Sequence, residues 1–190
     1  MKKKRPKHGV PLKRKLKQTI LSTREVKIIT KEISEQWGLS PKTAKLDYAY
    51  LTNAKKKLFL MNRELDMLSQ NEIIGQLTIE RVGLYFGDQT DGGLRLTMEG
   101  SQLIGPQAKQ NVVALDEAEV EEWFYGRPIV KELDMKKNKM TGKGYIILKH
   151  KNKLSGVIDY LGCGRYKEIN GKHQIMNFVP KIRRRVEKNN

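Results

Sequence analysis

Apolar residues spaced three and four apart give the first strong signal along the chain. Val26, Ile29, Ile33 and Trp37 share one face of a helix. Ser22, with Glu25 three residues on, predicts a capping box at its start, and Gly38 ends it. Two β-like runs follow at 45–52 and 57–61, separated by Asn53-Ala54-Lys55, which reads as a hairpin turn. A short apolar segment through Ile73 and Ile74 completes a small α/β unit. From about Leu77 the pattern changes. Ile79, Val82, Leu84 and Phe86 make a strand closed by Gly87-Asp88, Gly92-Gly93 mark a loop, and a short helix over about 97–104 is stopped by Gly105-Pro106. Residues 111–115 read as a brief buried strand. Asp116 caps a second helix, acidic in its first turns as the helix dipole prefers, and Gly126 ends it. The remainder reads as strands at 130–133, 144–150, 154–161 and 174–178. Two short helices among several strands predict an α+β fold, a small α/β unit followed by a mixed, partly closed pseudobarrel.

Divided by composition, residues 1–18 form a Lys-rich tail with Pro6 and Pro11 and little to bury, expected to stay disordered unless RNA neutralises it. Residues 19–76 form the α/β unit, 77–186 the second and larger unit, and 187–190 a short tail.

Charge changes the picture most. The 190 residues hold 38 Lys+Arg against 21 Asp+Glu, a formal net charge of +17. That balance says nothing about fold, but it favours polyanionic partners. The cations cluster: nine Lys or Arg and no acid within 2–17, seven Lys and no acid within 136–153, and Lys181, Arg183, Arg184, Arg185 and Lys188 near the end. Acidic residues gather between Glu72 and Asp134. Two basic ends about a more acidic waist give an oriented field suited to phosphates. Cys163 is the single cysteine, so no disulfide or thiolate metal site forms within the chain. Apolar runs such as 145–148 reach four residues, which predicts no membrane partner. Lys2-Lys3-Lys4-Arg5-Pro6-Lys7 reads either as a nuclear address or as a tail that threads into ribosomal RNA.

Several stretches in order carry a family likeness: Arg81-Val82-Gly83-Leu84-Tyr85-Phe86-Gly87; Leu96-Thr97-Met98-Glu99-Gly100-Ser101-Gln102-Leu103-Ile104-Gly105-Pro106; Asn111-Val112-Val113-Ala114-Leu115-Asp116; and Trp123-Phe124-Tyr125-Gly126-Arg127-Pro128-Ile129. Leu161-Gly162-Cys163-Gly164-Arg165 and Asn177-Phe178-Val179-Pro180-Lys181-Ile182-Arg183-Arg184 complete it. Together, over roughly 79–186, they resemble the PUA-like domain at the C-terminus of Sun-type RNA cytosine-C5 methyltransferases and stand-alone archaeal relatives of it. The preceding unit resembles the small α/β domain that comes before PUA in some archaeal translation-associated and ribosome-biogenesis proteins. The resemblance implies a domain that grips RNA with its first helix, the adjoining loop and its late strands. On this chain those regions carry Arg95, Lys109, Arg165, Lys167, Lys181, Arg183, Arg184 and Arg185. The basic tail adds Lys13, Arg14, Lys15 and Lys17. Tyr166 and Phe178, flanked by basic residues, are candidates for base stacking, whereas Trp123, Phe124 and Ile104 read as core anchors. The acidic helix over 116–125 is expected to face away from RNA.

No catalytic, metal or cofactor residues are expected. Asp159-Tyr160-Leu161-Gly162-Cys163-Gly164 superficially resembles the glycine turn of S-adenosylmethionine-dependent methyltransferases, but that chemistry needs a following helix and further βα units. Glycines at a strand turn, or at a close crossing of backbones, explain it better. His8, His150 and His173 have no acidic orienter nearby in sequence, and Glu121-Glu122 read as solvent charge. Lys136-Lys137-Asn138-Lys139 is either a solvated turn or a phosphate-contacting finger. The arginine run 183–185 serves no core in this reading and offers bidentate geometry to phosphate. The expected function is a non-enzymatic RNA-binding protein on ribosomal RNA, a ribosome-associated or ribosome-biogenesis factor. Ribosomal proteins are further partners, in the cytoplasm, or in the nucleus or nucleolus of a eukaryote. The alternative is an accessory RNA-binding subunit of an RNA-modifying enzyme acting in trans.

Overall fold

The computed structural model describes residues 18–64, 82–142 and 144–186. The segment through Ile73-Ile74 and nearly all of the basic tail lie outside them. The described chain runs β1 (Gln18–Ile20), α1 (Thr23–Trp37), α2 (Pro41–Ala44), β2 (Ala49–Asn53), β3 (Lys57–Met61), β4 (Leu84–Thr90), β5 (Gly93–Leu96) and α3 (Met98–Ile104). It continues through β6 (Val112–Ala114), α4 (Glu117–Tyr125), β7 (Ile129–Val130), β8 (Ile146–Lys151), β9 (Ile158–Ile169) and β10 (Lys172–Met176).

Local chemistry sets the helix ends. Ser22 accepts from the N–H of Glu25 while Glu25 reaches back to Ser22, and Gly38 closes α1 in the left-handed region at φ +67°. Asp116 and Glu119 repeat the capping box on α4, which Gly126 ends at φ +83°. Thr97 caps α3 by accepting from Gly100 N–H. Ser40 and Pro41 nucleate the short α2, so the strand expected over 45–52 is delayed to Ala49.

Among the described residues the strands form two five-stranded sheets, ordered β1-β2-β3-β4-β5 and β6-β8-β9-β10-β7. With helices beside them the fold is α+β, as expected, and no closed barrel is found among the described residues. The second sheet keeps separate edges because β6 joins β8 in parallel on one side while β7 pairs β10 on the other. The first sheet draws on both sides of residue 77, since β3 pairs antiparallel with β4. Gln18, placed in the tail on composition, belongs to β1, where its side chain donates to Val82 O and accepts from Val82 N–H.

Other expected boundaries shift for identifiable reasons. β4 does not stop at Gly87-Asp88 but passes through to Thr90, because Gly87 lets the Arg95 carbonyl approach to where a Cβ would stand 2.6 Å away. That approach pairs β4 with β5, a strand the pattern conceals behind Gly92-Gly93. The strand expected over 154–161 begins only at Ile158, and β9 then runs unbroken through Gly162 and Gly164. Those glycines are not at a turn. Gly162 takes φ +107° where the β8–β9 register slips, and Gly164 leaves room for Ile175, whose Cγ2 lies 2.4 Å from where a Cβ would be. The strand expected over 130–133 shrinks to Ile129–Val130.

The apolar run at 145–148 is continuous because β8 is buried on both faces. Ile147 packs into a core with Ile33, Trp37, Tyr50, Phe86 and Leu94, while Ile146 and Leu148 enter a second core around Trp123 and Ile175. The first core therefore joins α1 and the first sheet to the second sheet. Gln36 reinforces that seam, donating to the carbonyls of Leu94 and Tyr145 and accepting from Leu94 N–H.

Candidate nucleic-acid interface

A groove of about 590 Å³ opens where the two sheets meet. Its floor is Gly162-Cys163 of β9, and its walls are β4, β5, the first turn of α3 and the segment through Phe178 and Arg183. Three cations line it, Lys57, Arg95 and Arg183, against two carboxylates, Asp88 and Glu99.

Each cation is held. Arg95 Nη2 donates to Asp88 Oδ2 at 2.6 Å, and Asp88 also accepts from the Tyr85 hydroxyl. Burial pulls the Arg95 guanidinium down, yet the hydrogen bond and charge of Asp88 leave it above its ordinary value. Lys57 sits 4.6 Å above the Tyr85 ring. Arg183 donates to Glu99. Burial raises the Glu99 carboxyl, but the bond to Arg183 with other hydrogen bonds brings it below the ordinary carboxylate value.

Arg95 also lies 4.8 Å over the Phe178 ring, Phe178 meets Tyr145 edge-on at 5.6 Å, and Arg165 lies 5.8 Å from the other ring, Tyr145. The fold thus joins Arg95 and Arg165, 70 positions apart in sequence, as the two ends of one cation–aromatic ladder. Phe178 is inside this ladder, as one of its two rings. Tyr166 is occupied otherwise, stacked on His173 at 5.5 Å and accepting from Leu133 N–H.

The remaining expected contacts are dispersed. Lys109, Lys167 and Lys181 are exposed and do not line the groove. Lys13, Arg14, Lys15 and Lys17 lie outside the described residues. The reading that the arginine run packs on nothing is corrected. Arg184 Nε donates to Val179 O at 2.9 Å and crosses Gly126, while Arg185 donates its N–H to Phe124 O and lies 5.9 Å over that ring. Lys57, Tyr85 and Tyr145 are groove and ladder members that sequence reasoning missed. Their signal was weak, because each sits inside or beside an apolar run that reads simply as core.

The acidic helix α4 is neutralised by neighbours: Glu119 by Lys131 at 2.7 Å, Glu122 by Arg127 at 2.7 Å and Glu117 by Lys153 at 3.3 Å. His150 Nδ1 lies 3.0 Å from Leu115 O. Among the described residues no group of three or more His, Cys, Asp or Glu could hold a metal ion, and no helix is long and apolar enough to cross a membrane.

No protein-family model matches the chain. It is similar to ribosomal RNA small subunit methyltransferase F of Aeromonas salmonicida (strain A449), with 25% identity over 144 residues. The match covers 75% of this chain and 26% of that protein. The chain thus spans about a quarter of the length of the relative it matches. This similarity overturns the expectation that the chain is not an enzyme, because the relative is named as one. The glycine pair of β9 does not lie at a strand-to-helix turn: β9 continues five residues past Gly164 and turns into β10, so a strand and not a helix follows it in the chain.

Proposed function

We propose that this chain binds ribosomal RNA as the RNA-gripping part of an RNA-methylating enzyme. The observation that carries this reading is the match of three-quarters of the chain to a protein named for methylation of small-subunit ribosomal RNA. The net charge of +17 supports it, as does a groove in which the Arg95 guanidinium lies over the Phe178 ring, since such surfaces hold phosphates and unstacked bases. The finer parts belong to the same proposal: a PUA-like unit over 77–186 preceded by an α/β unit over 19–76, RNA contacts through Arg95, Arg165, Lys181 and the arginine run, and a setting at the ribosome or its assembly with ribosomal proteins nearby.

Crosslinking in cells followed by sequencing of the bound RNA tests it. The expected result is enrichment of small-subunit ribosomal RNA around a methylated cytosine, with loss of that methylation when the chain is deleted. Crosslinks spread evenly over unrelated RNAs, with methylation intact in the deletion, would refute it.

A further inference from the structure

The turn between β8 and β9 presents apolar side chains to solvent on a basic stem. Leu154 is 100% exposed, Val157 55% and Ile158 43%. Three branched apolar side chains exposed together gain nothing in the isolated fold, and such clusters mark contact surfaces. The tip is built rather than slack. Asn152 Oδ1 accepts from the N–H groups of Leu154 and Ser155 at 2.9 and 3.0 Å. Asn152 N–H donates to Val157 O, and Gly156 N–H donates to Asn152 O, both at 2.9 Å. Gly156 takes φ +70°, a conformation that suits glycine. Below the tip, Lys151 stands opposite Ile158 and Lys149 opposite Tyr160. Between 149 and 159 there are three lysines and one acid, Asp159. The pair of Lys153 with Glu117 is largely exposed at both ends, so it gives way readily to a phosphate.

Resting on the RNA-binding reading above, we infer that this hairpin is an apolar wedge for RNA. Leu154 and Val157 insert against unstacked bases at a bulge or helix end, and Lys149, Lys151 and Lys153 neutralise the flanking phosphates. The stem decides the occupant. A purely apolar protein pocket would cover Leu154 and Val157 but supply no counter-charge to Lys149 and Lys151 on the stem below it. RNA offers both chemistries within a few ångströms, and nucleic-acid-binding proteins use apolar wedges of this kind to open base steps.

The test uses the full chain and a short RNA hairpin with 2-aminopurine beside a single-nucleotide bulge. Wild type is expected to raise the 2-aminopurine fluorescence on binding. The double variant Leu154→Ser, Val157→Ser is expected to bind about tenfold more weakly without the fluorescence rise, while its salt dependence and thermal midpoint stay as in wild type. Replacing Lys149, Lys151 and Lys153 by Gln should instead flatten the slope of log affinity against log salt by about two. A serine double variant equal to wild type in affinity and fluorescence overturns the wedge alone. The same holds if that variant binds RNA normally but loses a stoichiometric protein partner in native extract. A wild-type chain with no salt-dependent affinity for RNA sinks the wedge together with the RNA-binding reading.

Discussion

Glu99 governs how much of the arginine run is free to meet phosphate. It lies in the first turn of α3, where the helix dipole already favours a carboxylate, and it holds Arg183 across the mouth of the groove. Its carboxyl is held below the ordinary value of 4.5. The pair therefore contributes fully above that pH and is lost only as pH falls through the lowered folded value. Glu99→Gln is expected to release Arg183 and steepen the salt dependence of single-stranded RNA binding by about 0.7 in log–log slope, one phosphate's worth. A salt titration of wild type and variant at neutral pH checks it, and an unchanged or flatter slope would mean Arg183 does not turn to RNA. Cys163 makes a separate prediction. Burial pushes its thiol up, from an ordinary 9.0 to about 12, against smaller opposing effects from a long contact to Ser101 Oγ at 3.8 Å, the Leu96 backbone and the charge of Arg95. Thiolate is the reactive form, so iodoacetamide at pH 8 should leave the native protein unmodified and label it only on unfolding. Because the folded thiol holds its proton longer than the unfolded one, this site favours the fold below about pH 9, and that preference is lost as pH rises toward 12.

At the scale of elements, the segment after β10 is a strap rather than a free basic end. Val179 is buried, Arg184 bonds back to it across Gly126, and Arg185 reaches the C-terminal turn of α4. Replacing Arg183, Arg184 and Arg185 with alanine is therefore expected to cost about 1–2 kcal/mol of stability, mostly through Arg184, whose bond is half-buried. For a chain of this size that is a fall of several degrees in thermal midpoint, read by calorimetry. The exposed contact of Arg185 with Glu121 at 3.8 Å adds little. Composition alone suggests a fold indifferent to these residues, because a backbone carbonyl acceptor leaves no mark in a sequence. Helix termini were legible: Ser22, Asp116, Gly38 and Gly126 each do what their chemistry dictates within one turn. Strand limits were less so. Gly87, Gly162 and Gly164 read as stops, yet Gly87 and Gly164 are where a neighbouring carbonyl or side chain leaves no room for a Cβ, and Gly162 takes a positive φ at a register slip, all long-range demands. The groove was half legible for the same reason. Arg95 and Arg183 announce themselves by charge, but Tyr145 becomes a ring between Phe178 and Arg165 only once β8 and β9 are paired.

For the whole molecule, one core runs from α1 through both sheets, so residues 18–186 are expected to unfold in a single transition despite the two-unit reading of the sequence. Cutting the chain at 76/77 would strip β4 of its pairing with β3 and expose Phe86 and Leu94, both fully buried. The basic N-terminal residues stand in contrast. Residues 1–17 carry nine cations and no acid, whereas on the described residues Arg95, Arg127, Lys131 and Arg183 each face a carboxylate. Long-range affinity for RNA should therefore come disproportionately from 1–17. If about four of the nine cations neutralise phosphates, deleting 1–17 should flatten the log–log salt slope by about 3 on single-stranded RNA, with a similar loss on unrelated sequences. The thermal midpoint should stay nearly unchanged. Extending the deletion by one residue should lower it by a few degrees, because Gln18 satisfies both the N–H and the carbonyl of Val82 from a position only 8% exposed. The two deletions, each titrated with salt and melted, separate the two contributions. A deletion of 1–17 that lowers the midpoint as much as the longer one would place part of those residues within the fold. An unaltered salt slope would move the main phosphate contacts onto the groove and the β8–β9 hairpin.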